Sequence, residues 1–173
     1  MNCSRGHCAC LTGVLMIVLM FAGCADRMQG NIADSVFILY GKTLDNDDFD
    51  WENLRGKYVL VKFTATWCPP CKAVIPDMLE TYEQYHDKGF EIVSVYIGEE
   101  EPNAAATVRR FVAQEKLPWI ILSESLTVAA GQPPQGDTFG IQRVPTMVLV
   151  DKDGNVVFVG LQYRQELRKV FGE

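Results

Sequence analysis

Two cysteines separated by two prolines, in the run Trp67-Cys68-Pro69-Pro70-Cys71-Lys72, are the residues of this chain best placed for chemistry. Thiols three residues apart at the start of a helix lie on one face, close enough to form a small disulfide ring. The first sits at the positive end of the helix dipole, where a thiolate is favoured. Both prolines fit there, because a first-turn residue has no intrahelical acceptor for its N–H, and their fixed φ holds the sulfurs in register. Such a pair suits thiol–disulfide exchange: Cys68 attacks a partner's disulfide as thiolate, and Cys71 resolves the mixed disulfide.

Other uses of the pair fit less well. A purely structural disulfide between residues so close in sequence closes a tiny loop and stabilises little by chain entropy. A zinc site needs about four ligands, and beyond the N-terminal segment only Cys68, Cys71 and His86 are suitable. His86, beside Asp87 and Lys88 near a helix end, reads as a solvated surface residue. Copper delivery lacks a third soft ligand. No metal and no cofactor is therefore expected.

The elements that must hold the motif are read from apolar periodicity. Val59 to Phe63 is an almost continuous apolar run, typical of a strand buried on both faces, and it leads directly into the motif. Behind the motif, Val74, Ile75, Met78, Leu79 and Tyr82 recur at helical spacing up to Gly89, a C-cap glycine. A second strand at Ile92 to Ile97, the acidic loop Glu99 to Glu101, a helix over Asn103 to Glu115 and a third strand at Trp119 to Leu122 complete βαβαβ, hence a parallel sheet with crossover helices. Ser123 to Gln142 reads as an insertion with a short helix and an irregular loop. Met147 to Val150 and Val156 to Val159 flank turn residues as an antiparallel hairpin, and Gln165 to Phe171 forms a terminal helix. Ahead of all this, Val36 to Tyr40 with the Gly41-Lys42 turn suggests a further short hairpin, closed by the acidic loop Asp45 to Asp50. A chain of 173 residues has room for one such α/β domain.

The N-terminus has a different character. No charged residue stands between Ala9 and Gly23, and Val14 to Phe21 is solidly apolar behind Arg5, the outline of a secretory signal. Its end, Phe21-Ala22-Gly23-Cys24, resembles the lipobox of bacterial lipoproteins, in which small residues precede a cysteine that becomes lipidated. An uncleaved anchor is the alternative, because the uncharged stretch from Gly6 to Ala25 could just cross a bilayer. Either way the domain is expected outside the cytoplasmic membrane. The expected division is residues 1–23 as signal peptide, 24–34 as polar tether and 35–173 as the folded domain. Of six cysteines, Cys3, Cys8 and Cys10 then leave with the signal and Cys24 is taken by lipid, so only Cys68 and Cys71 remain. A net charge of −6 without a dense basic run argues against nucleic acid as a partner.

From Phe63 to Lys72 the sequence Phe-Thr-Ala-Thr-Trp-Cys-Pro-Pro-Cys-Lys, with Pro76 in the following helix and Gly140-Ile141-Gln142-Arg143-Val144-Pro145-Thr146 ahead of the last hairpin, resembles the thioredoxin superfamily. Within it, the match is to the TlpA/ResA-like branch of exported or membrane-anchored thiol–disulfide oxidoreductases. The resemblance implies a thioredoxin-like fold, a central mixed sheet flanked by helices. It implies disulfide exchange with extracytoplasmic proteins, as a reductant fed by an upstream thiol donor. Carried over, Pro145 is the cis-proline that faces the cysteines, Val144 and Thr146 offer backbone groups to an extended substrate, and Trp67 joins the docking surface. A binding module that uses the same groove without turnover is the rival; the intact cysteine pair argues against it.

Three departures from the family pattern stand out. Lys62 occupies the position where many thioredoxins bury an aspartate beneath the second cysteine. An ammonium there is expected either to reach the surface or an acidic partner, or to favour the thiolate of Cys71 or Cys68 and so tune its pKa. Val74 replaces a glutamate of several cytochrome c maturation members, which argues against that role. Ala65 replaces the threonine of the peroxidase frame.

Overall fold

Burial on both faces explains why the three parallel strands read as largely apolar runs. They are β1 (Tyr58–Thr64), β2 (Phe90–Tyr96) and β3 (Ile120–Ser123), all parallel. The last hairpin supplies β4 (Thr146–Val150), antiparallel to β1, and β5 (Val156–Val159). The sheet order is β3-β2-β1-β4-β5, so the mixed sheet expected from the motif is present and β1, which feeds the cysteines, is its centre. This computed structural model describes residues 37–99 and 103–172; the signal segment, Cys24 and the tether lie outside the described residues.

Alternate residues of the strands serve two cores. On one face Leu60, Ile92, Tyr96, Met147 and Leu149 pack against Met78, Tyr85, Val108, Tyr163 and Leu167. These come from the helices α2 (Ile75–Tyr85), α3 (Ala104–Glu115) and α6 (Tyr163–Phe171). The opposite face buries Val59, Val61, Phe63, Val93, Val95 and Val148 under Phe37, Leu39, Trp51 and Leu54. Asp77 on α2 accepts from Tyr163 Oη at 2.7 Å and from Arg164, which ties α2 to α6.

The helix behind the motif is divided. A first short piece, α1 (Pro69–Ala73), ends at Val74, and α2 begins again at Ile75. Pro76 in the second position of α2 has no N–H to continue the ladder, so the break falls where that missing donor costs least. At the other end, a turn over His86–Lys88 leads to Gly89 at φ +89°, a left-handed C-cap that glycine adopts without strain.

Two expectations are corrected. Residues 37–40 form no strand, and the hairpin over Val36 to Tyr40 is not made; pairing in this region is confined to isolated bridges Lys42↔Asp48 and Thr43↔Leu122. Its polar groups turn instead to distant partners: Phe37 N–H donates to the Gly154 carbonyl at 2.9 Å, Lys42 N–H to Thr127 Oγ1 at 3.0 Å, and Gln135 Nε2 to the Tyr40 carbonyl. Phe37 and Leu39 are simultaneously buried in the second core, and that burial outweighs a local turn. The insertion is likewise two short helices, α4 (Glu124–Ala129) and α5 (Gln135–Thr138), which receive this segment.

Gly41 is where the two meet. At φ +138° a Cβ would lie 2.8 Å from both Gln135 Nε2 and Thr127 Oγ1. Gly41→Ala is expected to destabilise the domain by about 1–3 kcal/mol through backbone strain and displacement of these contacts. Urea unfolding should show a lower midpoint at unchanged slope; an unchanged midpoint would contradict the packing described.

Candidate active site

Cys68 is the N-cap of α1, with φ −89° and ψ 107°, and its Sγ accepts from Cys71 N–H at 3.2 Å. A sulfur that receives a backbone N–H is stabilised most when it is negative. The same sulfur is joined to Cys71 in a disulfide whose Cα atoms are 5.2 Å apart. Both cysteines are nearly covered, 3% and 2% exposed, and they share a small apolar cluster with Ala65 and Val144. The Val144 carbonyl oxygen lies 3.7 Å from Cys68 Sγ, the Val144–Pro145 peptide is cis, and Thr146 begins β4 opposite Phe63 of β1. Fold and register therefore bring Val144, and the segment it opens, beside the motif.

Trp67 stands beside them, 59% exposed, its Nε1–H donating to the Gly98 carbonyl at 2.9 Å. The indole is thus held by its N–H and largely open to solvent. Two glutamates fix the loops around it. Glu99 accepts from both the backbone N–H and the hydroxyl of Thr66. Glu124, at the start of α4, accepts from Gly98 N–H at 3.3 Å and Gly136 N–H at 2.8 Å. Neither was singled out in the sequence. Glu99 carried a signal, because it ends a strand in an acidic loop; Glu124 carried none, since its partners are backbone amides that only the fold assembles.

Lys62 points under the motif. It is 2% exposed and its Nζ donates to the Cys71 carbonyl at 2.9 Å. The expectation that it reaches the surface or an acidic side chain is thus corrected: the stem lies inside the sheet layer and its head caps a carbonyl near the break between α1 and α2. Burial alone pushes its pKa down from 10.5 to about 8. Among the described residues, no group of three or more His, Cys, Asp or Glu stands where it could hold a metal ion. His86 stacks on Tyr82 with ring centroids 4.4 Å apart, its Nδ1 3.7 Å from Glu91 Oε2.

A covered CxxC disulfide at a helix start, set beside the Val144–Pro145 segment at one end of a mixed sheet, belongs to a thiol–disulfide oxidoreductase of the thioredoxin superfamily. The chain belongs to the Redoxin family, whose model matches residues 28–171. It is 30% identical over 164 residues to thiol-disulfide oxidoreductase ResA of Bacillus cereus, covering 89% of each chain. To tryparedoxin of Trypanosoma brucei brucei it is 32% identical over 113 residues, 65% of this chain and 72% of that one. The fold is also that of the thioredoxin domain of a thiol-disulfide oxidoreductase from Bacteroides vulgatus, with TM-score 0.65 and 24% identity over 81% of this chain and 95% of the other.

The buried lysine has a consequence for stability. Its folded pKa lies below the unfolded one, so between about pH 8 and 10.5 the unfolded chain binds more protons, and stability rises with pH through that window. Below it the cost of burying the ammonium is fully present, about 3 kcal/mol for a shift of this size. In the oxidised protein, the stability difference between Lys62→Met and wild type should shrink by most of that amount from pH 8 to pH 10.5, read by denaturant unfolding at each pH. A constant difference would contradict the assignment of a buried, unpaired ammonium.

Proposed function

We propose that this protein is an extracytoplasmic, membrane-tethered protein-disulfide reductase. The packing of Val144 against Cys68, its carbonyl oxygen 3.7 Å from the Cys68 sulfur, is the observation that carries the mechanism. An extended substrate segment lies against Trp67, Val144, Pro145 and Thr146, with its disulfide presented to Cys68. The Cys68 thiolate attacks one substrate sulfur; the substrate S–S bond breaks, a mixed disulfide forms, and the leaving sulfur takes a proton. Cys71 thiolate then attacks Cys68 Sγ, releasing the second substrate thiolate and closing the Cys68–Cys71 disulfide. Two electrons have passed to the substrate, and an upstream thiol donor returns them to the pair.

The location rests on the sequence: residues 1–23 act as the export signal, Cys24 carries the lipid, and residues 24–34 tether the domain to the membrane. The reductant direction rests on the motif's resemblance to the exported TlpA/ResA-like branch. The cysteine pair's role is tested by insulin reduction with dithiothreitol as donor, comparing the wild-type chain with Cys68→Ser. The variant should fall to the rate of dithiothreitol alone. Equal rates in the two would overturn the proposal.

A further inference from the structure

Two charged side chains are buried among the described residues: Glu91, which faces Lys57 and His86, and Lys62. The Lys62 ammonium is buried on the middle strand, and the hydrogen bond it makes ends on the Cys71 carbonyl. Its neighbours across β1 are Ser94 on β2, which accepts from Trp119 Nε1 at 2.9 Å, and Met147 on β4. Tyr96 on β2 and Tyr163 on α6 are raised well above the ordinary phenol value, chiefly by burial, and stay neutral. On α2, Asp77 is engaged by Tyr163 and Arg164. On α1, Lys72 lies over the Phe111 ring of α3. In the disulfide state the ammonium therefore faces no anion among the described residues, a costly arrangement for a buried charge.

We propose that Lys62 is a redox-linked counter-ion for Cys71, unpaired in the disulfide and paired with the Cys71 thiolate once that bond opens. The inference rests on the exchange chemistry proposed above. Reduction by an external dithiol breaks the Cys68–Cys71 bond, oxidises the donor to its disulfide and places two electrons on the protein sulfurs. Of the donor's two protons, one stays with the cysteine pair and one goes to solvent, while Lys62 keeps its own. The reduced pair then carries one proton and one negative charge, with Lys62 as counter-ion. In the mixed disulfide, where Cys68 is bonded to substrate, the charge belongs to Cys71 alone. Burial by itself would push the Cys71 thiol up and leave it a poor attacker; the cation reverses that. Because pairing occurs after the bond opens, it also shifts the equilibrium toward the reduced form. Lys62 is thus a positioning residue, acting on a reacting sulfur through charge.

Two measurements on the full-length chain test this. In redox equilibrium with dithiothreitol at pH 7, Lys62→Met should lower the reduction equilibrium constant about tenfold, about 30 mV for a two-electron couple. Lys62→Arg, which keeps the cation, should restore most of it. Separately, Cys68→Ser frees Cys71 from Cys68, and 13Cβ-cysteine NMR can follow its titration, its resonance identified among those of the other cysteines by its loss in Cys68→Ser/Cys71→Ser. With Lys62 present, Cys71 should ionise below the ordinary thiol value of about 8.5; adding Lys62→Met should move it above. Should the Lys62 variants fail to fold, the Cys68→Ser titration decides, and a Cys71 midpoint above 8.5 overturns the inference. Superimposable equilibria for wild type and Lys62→Met also overturn it while leaving exchange intact, whereas failure of the exchange reading itself would show as a wild-type pair that does not equilibrate with dithiothreitol.

Discussion

The site depends on the register between β1 and β4. Phe63 opposes Thr146 in that antiparallel pair, so the chain leaving β1 and the chain entering β4 emerge at the same end of the sheet. Cys68, five residues beyond Phe63, is thereby set against Val144, two residues before Thr146. Since side chains alternate along a strand, a slip of one residue would turn both core faces inside out. Burial of β1 on both sides makes that slip prohibitive. The position of the cysteines relative to their docking segment is thus held by core packing far larger than any interaction at the site itself.

On this rigid base, electrostatics of opposite sign meet at the motif. Cys71 N–H and the Lys62 ammonium favour negative charge on the two sulfurs, while the Glu99 carboxylate, bound to Thr66, works against it from the loop side. Water screens a charge less the deeper it lies, and Glu99 is half-buried where Lys62 is buried. Lys62, sealed inside the sheet layer, therefore has more leverage per charge than Glu99. Glu124 belongs to the mechanical side of the arrangement, joining the loop after β2 to the insertion through Gly98 and Gly136.

Much of this was legible in the sequence where one interaction dominates. Val59 to Phe63, Lys62 apart, and Met147 to Val150 are apolar at successive positions, which central strands covered on both faces require. The break at Val74 was not read from the helical spacing, although Pro76 carried a purely local signal for it. The segment 36–40 misled because Phe37 and Leu39 alternate with neighbours as an edge strand would, whereas the backbone partners of Phe37 and Tyr40 are Gly154 and Gln135, distant in sequence. Lys62 stood out as an anomaly, but its direction did not: a lysine stem can run outward to water or inward to a carbonyl, and only the position of Cys71 decides. The insertion's two short helices are each too brief for periodicity to declare them.

The central claim is that Cys68 attacks and Cys71 resolves, a division of labour that follows from the contacts of Cys68 with Val144 and of Cys71 with Lys62. Trapping tests it most directly. Reduced Cys71→Ser, mixed with an unfolded disulfide-bonded protein and quenched with acid, should accumulate a mixed disulfide through Cys68, identified by peptide mass spectrometry. Reduced Cys68→Ser should accumulate little or none through Cys71. Equal trapping on either cysteine, or trapping on Cys71 alone, would contradict the account.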